Sequence, residues 1–175
     1  MITTQTTMTR PTRTRTTFGL FLAAILILSG CAEGEHSDKD DDSTKSSKSS
    51  KVEYLTGGSP DASLPFSPAV RVGNTLYLSG QIGNLPGTLE LAEGGMEGQA
   101  HQTMQNIKAT LERFGSSLDH VVKCLVMIDD ISLWGDFNTV YVQYFPGHKP
   151  ARSAFGAEGL ALGAAVEVEC IAIIP

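Results

Sequence analysis

Apolar and polar residues alternate over two short stretches near the middle of the chain. Val70 and Val72, then Leu76 and Leu78, stand on either side of Gly73-Asn74. This period of two, broken by a turn pair, predicts a β-hairpin. Ser79-Gly80-Gln81-Ile82 ends the second strand, and Gly83 to about Gly95 reads as a loop. The period then changes. Ala100, Met104, Ile107, Leu111 and Phe114 recur at helical spacing, and Gly115 supplies a stop. Met104 and Phe114 belong to the core on that pattern. Val121 to Ile128 is a dense β-branched and aliphatic run, hence a strand. A second helix is expected from Leu133 to Phe145, with Ser132 as its cap and Trp134, Phe137, Tyr141 and Tyr144 along one side. Pro146-Gly147 breaks it. Ala151 to Phe155 and Val166 to Ile174 read as the last two strands.

The N-terminal part follows another pattern. Arg10, Arg13 and Arg15 precede an apolar run from Phe18 to Leu28, which is short for a membrane span and about right for a signal peptide. Leu28-Ser29-Gly30-Cys31 then resembles a bacterial lipobox. Residues 1–30 are expected to be removed, leaving Cys31 lipidated as the mature N-terminus and as the membrane anchor. Ala32 after the cysteine favours the outer membrane of the cell envelope, facing the periplasm, by resemblance to bacterial sorting rules. Residues 31–56, with Asp38 to Asp42 and a Ser- and Lys-rich stretch, have almost nothing to bury and read as a disordered tether. The folded domain is expected over 57–175.

Charge and composition narrow the chemistry. The formal net charge is -6 and the pI about 5.1, which argues against a nucleic acid partner, since phosphate binding needs a basic face. Three cysteines are present, and with Cys31 acylated Cys124 and Cys170 remain. Both lie in apolar strand-like runs and are expected as buried free thiols, with pairing as the alternative. His36, His101, His120 and His148 are scattered without metal-ligand spacing, so no metal is expected. No G-x-S-x-G nucleophile elbow occurs.

Two charged residues interrupt apolar strands. Arg152 lies in Pro150-Ala151-Arg152-Ser153, and Glu167 in Val166-Glu167-Val168-Glu169. On an extended strand Glu167 and Glu169 share one face and Val166, Val168 and Cys170 the other. Such a pair forms an exposed face, a structural ion pair or a site. These two segments, with Ser79-Gly80-Gln81-Ile82, resemble in order and separation three signature stretches of the RidA/YjgF/UK114 family. The resemblance covers about Leu64 to Pro175. It implies an α+β, chorismate-mutase-like fold with a six-stranded mixed sheet, two helices on one face, and a homotrimer with clefts between subunits.

The same resemblance implies cofactor-free hydrolysis of enamines or imines of 2-oxo acids to the oxo acid and ammonia. Arg152 would clamp the substrate carboxylate, and the main chain at Ala154 would add to that clamp. Glu167 would hold the attacking water or shuttle its proton. Gly80 would let backbone approach the ligand. Three positions depart from the family pattern. Phe66 stands where many active members have Tyr, Tyr141 where an Asn is common in the second helix, and Ala154 where a Cys is frequent. The alternative function is a non-catalytic binding protein for small carboxylates.

Overall fold

A computed structural model describes residues 51–56 and 64–175. The signal segment, Cys31 and the tether up to residue 50 lie outside the described residues. Seven strands and two α-helices follow in chain order: β1 Val52–Leu55, β2 Ala69–Val72, β3 Thr75–Leu78, β4 Gln81–Ile82, α1 Gly95–Arg113, β5 Val121–Ile128, α2 Trp134–Tyr144, β6 Ala151–Gly156 and β7 Val166–Ile173. The sheet order is β1-β2-β3-β7-β5-β6, with β4 beside β7. Only β5 and β6 run parallel, joined by the α2 crossover, so the sheet is mixed.

The predicted hairpin is β2–β3, in register Val72↔Thr75 around Gly73, whose φ of 59° suits a residue without a Cβ. Two strands differ from the sequence expectation. Val52–Leu55, assigned there to the tether, pairs antiparallel with β2; four residues bounded by Lys51 and Thr56 are too few to show a period. Gln81–Ile82 does not prolong β3 but pairs with Val168 and Glu167 of β7. The sheet therefore has seven strands, where six were expected.

Both helices lie on one face of the sheet. Ala100, Met104, Ile107 and Leu111 of α1 and Phe137 and Val140 of α2 are buried against Val166, Val168, Cys170 and Ala172 of β7, as the helical and strand periods dictate. Gly115 ends α1 with φ 82°. Ser132 does not cap α2. A single 3₁₀ turn over Ile131–Leu133 precedes that helix, and the Asp130 side chain accepts from the Ser132 backbone N–H at 2.9 Å. The opposite sheet face, with Tyr77, Lys123 and Glu169 exposed and Leu125 and Ile171 half-buried, is not packed against either helix.

Cys124 and Cys170 form a disulfide, not the two free thiols expected from their apolar setting. They are direct partners on the antiparallel β5 and β7, with Cα atoms 4.1 Å apart, and both are turned to the helix face. Apolar surroundings predict burial equally well for a thiol and a disulfide; only the strand register brings the two sulfurs together.

Candidate active site

Arg152 is held by one hydrogen bond and by aromatic rings. Its strand β6 is the sheet edge, and its register with Cys124 turns the side chain to the helix face. There Nη2 donates to Asn138 Oδ1 at 2.7 Å. The guanidinium lies 4.6 Å from the Tyr141 ring, 5.8 Å from Phe137 and 5.9 Å from Trp134. Asn138 and Tyr141, three residues apart, and Phe137 and Tyr141, four apart, share one side of α2 as helical spacing requires. A planar cation stacked on a ring and tied at one nitrogen is held in one orientation.

This arrangement revises the expectation for Tyr141. Asn138, one turn before Tyr141, contacts the arginine directly. Tyr141 is 5 % exposed and its hydroxyl is buried with no hydrogen-bond partner in the protein. Burial pushes the phenol up to about 12, against the lowering influence of Arg152. Tyr141 therefore supplies a supporting ring beside Arg152. Asn138 was missed because nothing in a single helix pattern separates it from a solvent-facing asparagine. Ala154, two residues beyond Arg152 on the same face, packs against the core.

Glu167 stands on β7 between Val166 and Val168, both fully buried on the helix face, so its side chain points the other way. Partial burial raises its carboxyl above the usual range, and Glu169 on the same face adds to the rise. Gly80 makes this position possible: a Cβ there would overlap the Glu167 carboxylate. The glycine thus makes room for the acid itself, whereas the sequence suggested room for ligand. The Gly80 segment is pinned on both flanks: Ser79 Oγ donates to Ser67 O at 2.7 Å and Asn106 Nδ2 donates to Ile82 O at 2.9 Å. Gln99 Oε1 accepts from Ala165 N–H at 2.8 Å and ties α1 to the start of β7. Asn106 and Gln99 are polar positions of α1 whose role only the tertiary contacts show. Phe66, 54 % exposed, precedes Ser67 and borders an open groove with Tyr54, Leu64 and Ser79.

The chain thus presents two half-sites. One is Arg152 with Asn138 and its rings, on the helix side. The other is Glu167 with Gly80, on the sheet face turned away from the helices. His101 joins neither; its Nδ1 lies 3.1 Å from the Tyr144 hydroxyl between the helices. Among the described residues no three His, Cys, Asp or Glu side chains gather as a metal site.

Comparison with known proteins gives one consistent result. Residues 56–174 match the family described as Endoribonuclease L-PSP. Protein HMF1 of Saccharomyces cerevisiae is 45% identical over 113 residues, covering 65% of this chain and 87% of the relative. A 2-iminobutanoate/2-iminopropanoate deaminase of Mus musculus is 38% identical over 118 residues, covering 67% and 87%. The crystal structure of the yjgF gene product of E. coli superposes with a TM-score of 0.63 at 30% identity, covering 70% of this chain and 98% of that one.

Proposed function

From the premise that the chain belongs to the RidA/YjgF family, whose relatives include imine deaminases, we propose that it hydrolyses imines and enamines of 2-oxo acids in a cleft between subunits. The observation that carries this reading is the oriented Arg152, tied to Asn138 and stacked on Tyr141. A guanidinium fixed in this way receives a carboxylate through its remaining N–H groups.

The chemistry then needs one more group. An enamine is first protonated on carbon to give the imine. Water adds to the imine carbon, losing a proton to Glu167, and the nitrogen takes up a proton. The carbinolamine so formed breaks its C–N bond, releasing ammonia and leaving the C=O of the oxo acid. A carboxyl raised by partial burial accepts and returns that proton more readily at neutral pH than an ordinary one. Because the two half-sites face opposite sides of one sheet, a cleft using both draws Arg152 from one subunit and Glu167 from a neighbour. A closed trimer, which would also cover the bare sheet face, satisfies this need.

We place this trimer in the cell envelope, held by lipid on Cys31. The Cys124–Cys170 disulfide supports an oxidising compartment. Cys31→Ala should abolish fatty-acid labelling of the chain; labelling that persists refutes the anchor. The second reading, a carboxylate-binding protein without turnover, is favoured by Phe66, which brings no hydroxyl to the groove. A coupled assay with enzymatically generated 2-aminoacrylate separates the two. Imine hydrolysis well above the spontaneous rate, abolished by Arg152→Lys because an ammonium lacks the planar fork, supports the deaminase. Binding of pyruvate with no rate above background leaves the binder.

A further inference from the structure

Three rings surround the Arg152 guanidinium, and they differ in one respect. Phe137 is fully buried and Tyr141 is 5 % exposed, whereas Trp134 is 47 % exposed. Trp134 opens α2 and lies 5.9 Å from the guanidinium. Phe137 and Tyr141 therefore fix the arginine from within, while the indole alone stands beside it at the surface. A half-exposed tryptophan buries its remaining apolar surface only if something apolar is laid against it.

We propose that Trp134 is the specificity-determining wall of the site, selecting 2-imino acids with aromatic or large apolar side chains over the small aminoacrylate type. The inference rests on Arg152 being the carboxylate clamp. A carboxylate oxygen held about 2.8 Å from a guanidinium nitrogen brings the substituent on the adjacent carbon within van der Waals reach of a ring so placed. The indole presents no group to that substituent except its flat apolar face and one edge N–H, so it rewards planar or bulky hydrocarbon and does nothing for a methyl group.

The test compares phenylpyruvate with pyruvate as stable ligands, by calorimetry on the full chain, and the imines that an amino-acid oxidase generates from phenylalanine and alanine. The wild type should prefer the aromatic member of each pair by about tenfold or more, the usual scale for apolar discrimination in a pocket. Trp134→Ala should bring that ratio near unity, and Trp134→Phe should restore most of it. A wild type that shows no preference, or a ratio that survives Trp134→Ala, overturns the proposal. Equal loss of both ligands in Trp134→Ala and Trp134→Phe overturns it too, because the indole would then only support the arginine. Preference in binding without any turnover upholds the wall and refutes the deaminase reading. Failure of the wild type to bind either oxo acid refutes the clamp and the wall together.

Discussion

Arg152 and Glu167 face opposite sides of the same sheet. Arg152 is in register with Cys124, and Cys124 with Cys170, so all three turn to the helices. Glu167 lies three positions from Cys170 on β7, an odd step that reverses its direction. Side chains separated in this way cannot close on one small substrate inside a single chain. On the proposed reading, each chain offers the anion clamp on one side of its sheet and the proton-transfer group on the other.

Asn138 is expected to contribute through the clamp. Asn138→Ala removes the partner of Arg152 Nη2 and should raise KM about tenfold with kcat little changed, the scale of one hydrogen bond to a charged group. Asn138→Asp should be worse, because a carboxylate at 2.7 Å from Nη2 would compete with the substrate for the cation. Steady-state kinetics on both variants check this; equal kinetics for wild type and Asn138→Asp would refute the clamp geometry.

The two ends of Tyr141 should behave differently. Tyr141→Phe deletes a buried hydroxyl that has no partner in the protein, so stability should stay within about 1 kcal/mol of wild type or rise. Tyr141→Ala removes the ring from the core and from Arg152, and should cost about 3–5 kcal/mol. Urea unfolding measures both. A Tyr141→Phe variant as damaged as Tyr141→Ala would mean that the hydroxyl has a role the structure does not give it.

For Glu167 the sign of the pH effect follows from its raised carboxyl. The folded state holds this proton more tightly than the unfolded chain. The stability it contributes is complete below 4.5, the ordinary value of such a carboxyl, and is lost as pH rises through the folded pKa. Glu167→Gln carries no such loss. The variant should be more stable than wild type at neutral pH, with the difference vanishing toward pH ~4, while turnover falls by roughly 10²-fold or more. Thermal melts from acid to neutral pH check the first part. A variant less stable than wild type at neutral pH would assign Glu167 a structural partner.

Much of this was legible from the residues alone, and the reasons for the rest are specific. Val121–Ile128 is long and apolar, so its strand was read at its observed ends. The helix from Gly95 is legible only from Ala100, because Met96 is the one apolar side chain among the Gly and polar residues that precede it in the helix. Arg152 and Glu167 stood out as charges in apolar strands. Their placement on opposite faces did not, since alternation gives the faces of one strand and only the registers with β5 relate two strands. Asn138 and the Cys124–Cys170 bond were hidden for the same reason: each is a contact between segments distant in sequence.

The disulfide should be present in the native chain. Titration of the denatured, unreduced protein should find Cys124 and Cys170 unreactive, and reduction should lower stability by up to about 4 kcal/mol for a bond spanning 46 residues. Two reactive thiols from these positions before reduction would contradict the structure.

On the proposed function the working site joins Arg152 of one subunit to Glu167 of another, and subunit mixing measures whether it does. Arg152→Ala and Glu167→Gln chains, each nearly inactive alone, are refolded together in equal amounts and assayed for imine hydrolysis. In a closed trimer every mixed assembly contains one cleft with both residues intact, so random assembly should recover about a quarter of wild-type activity. A mixture no more active than its two components, with mixed trimers present and the wild type active, would contradict the account.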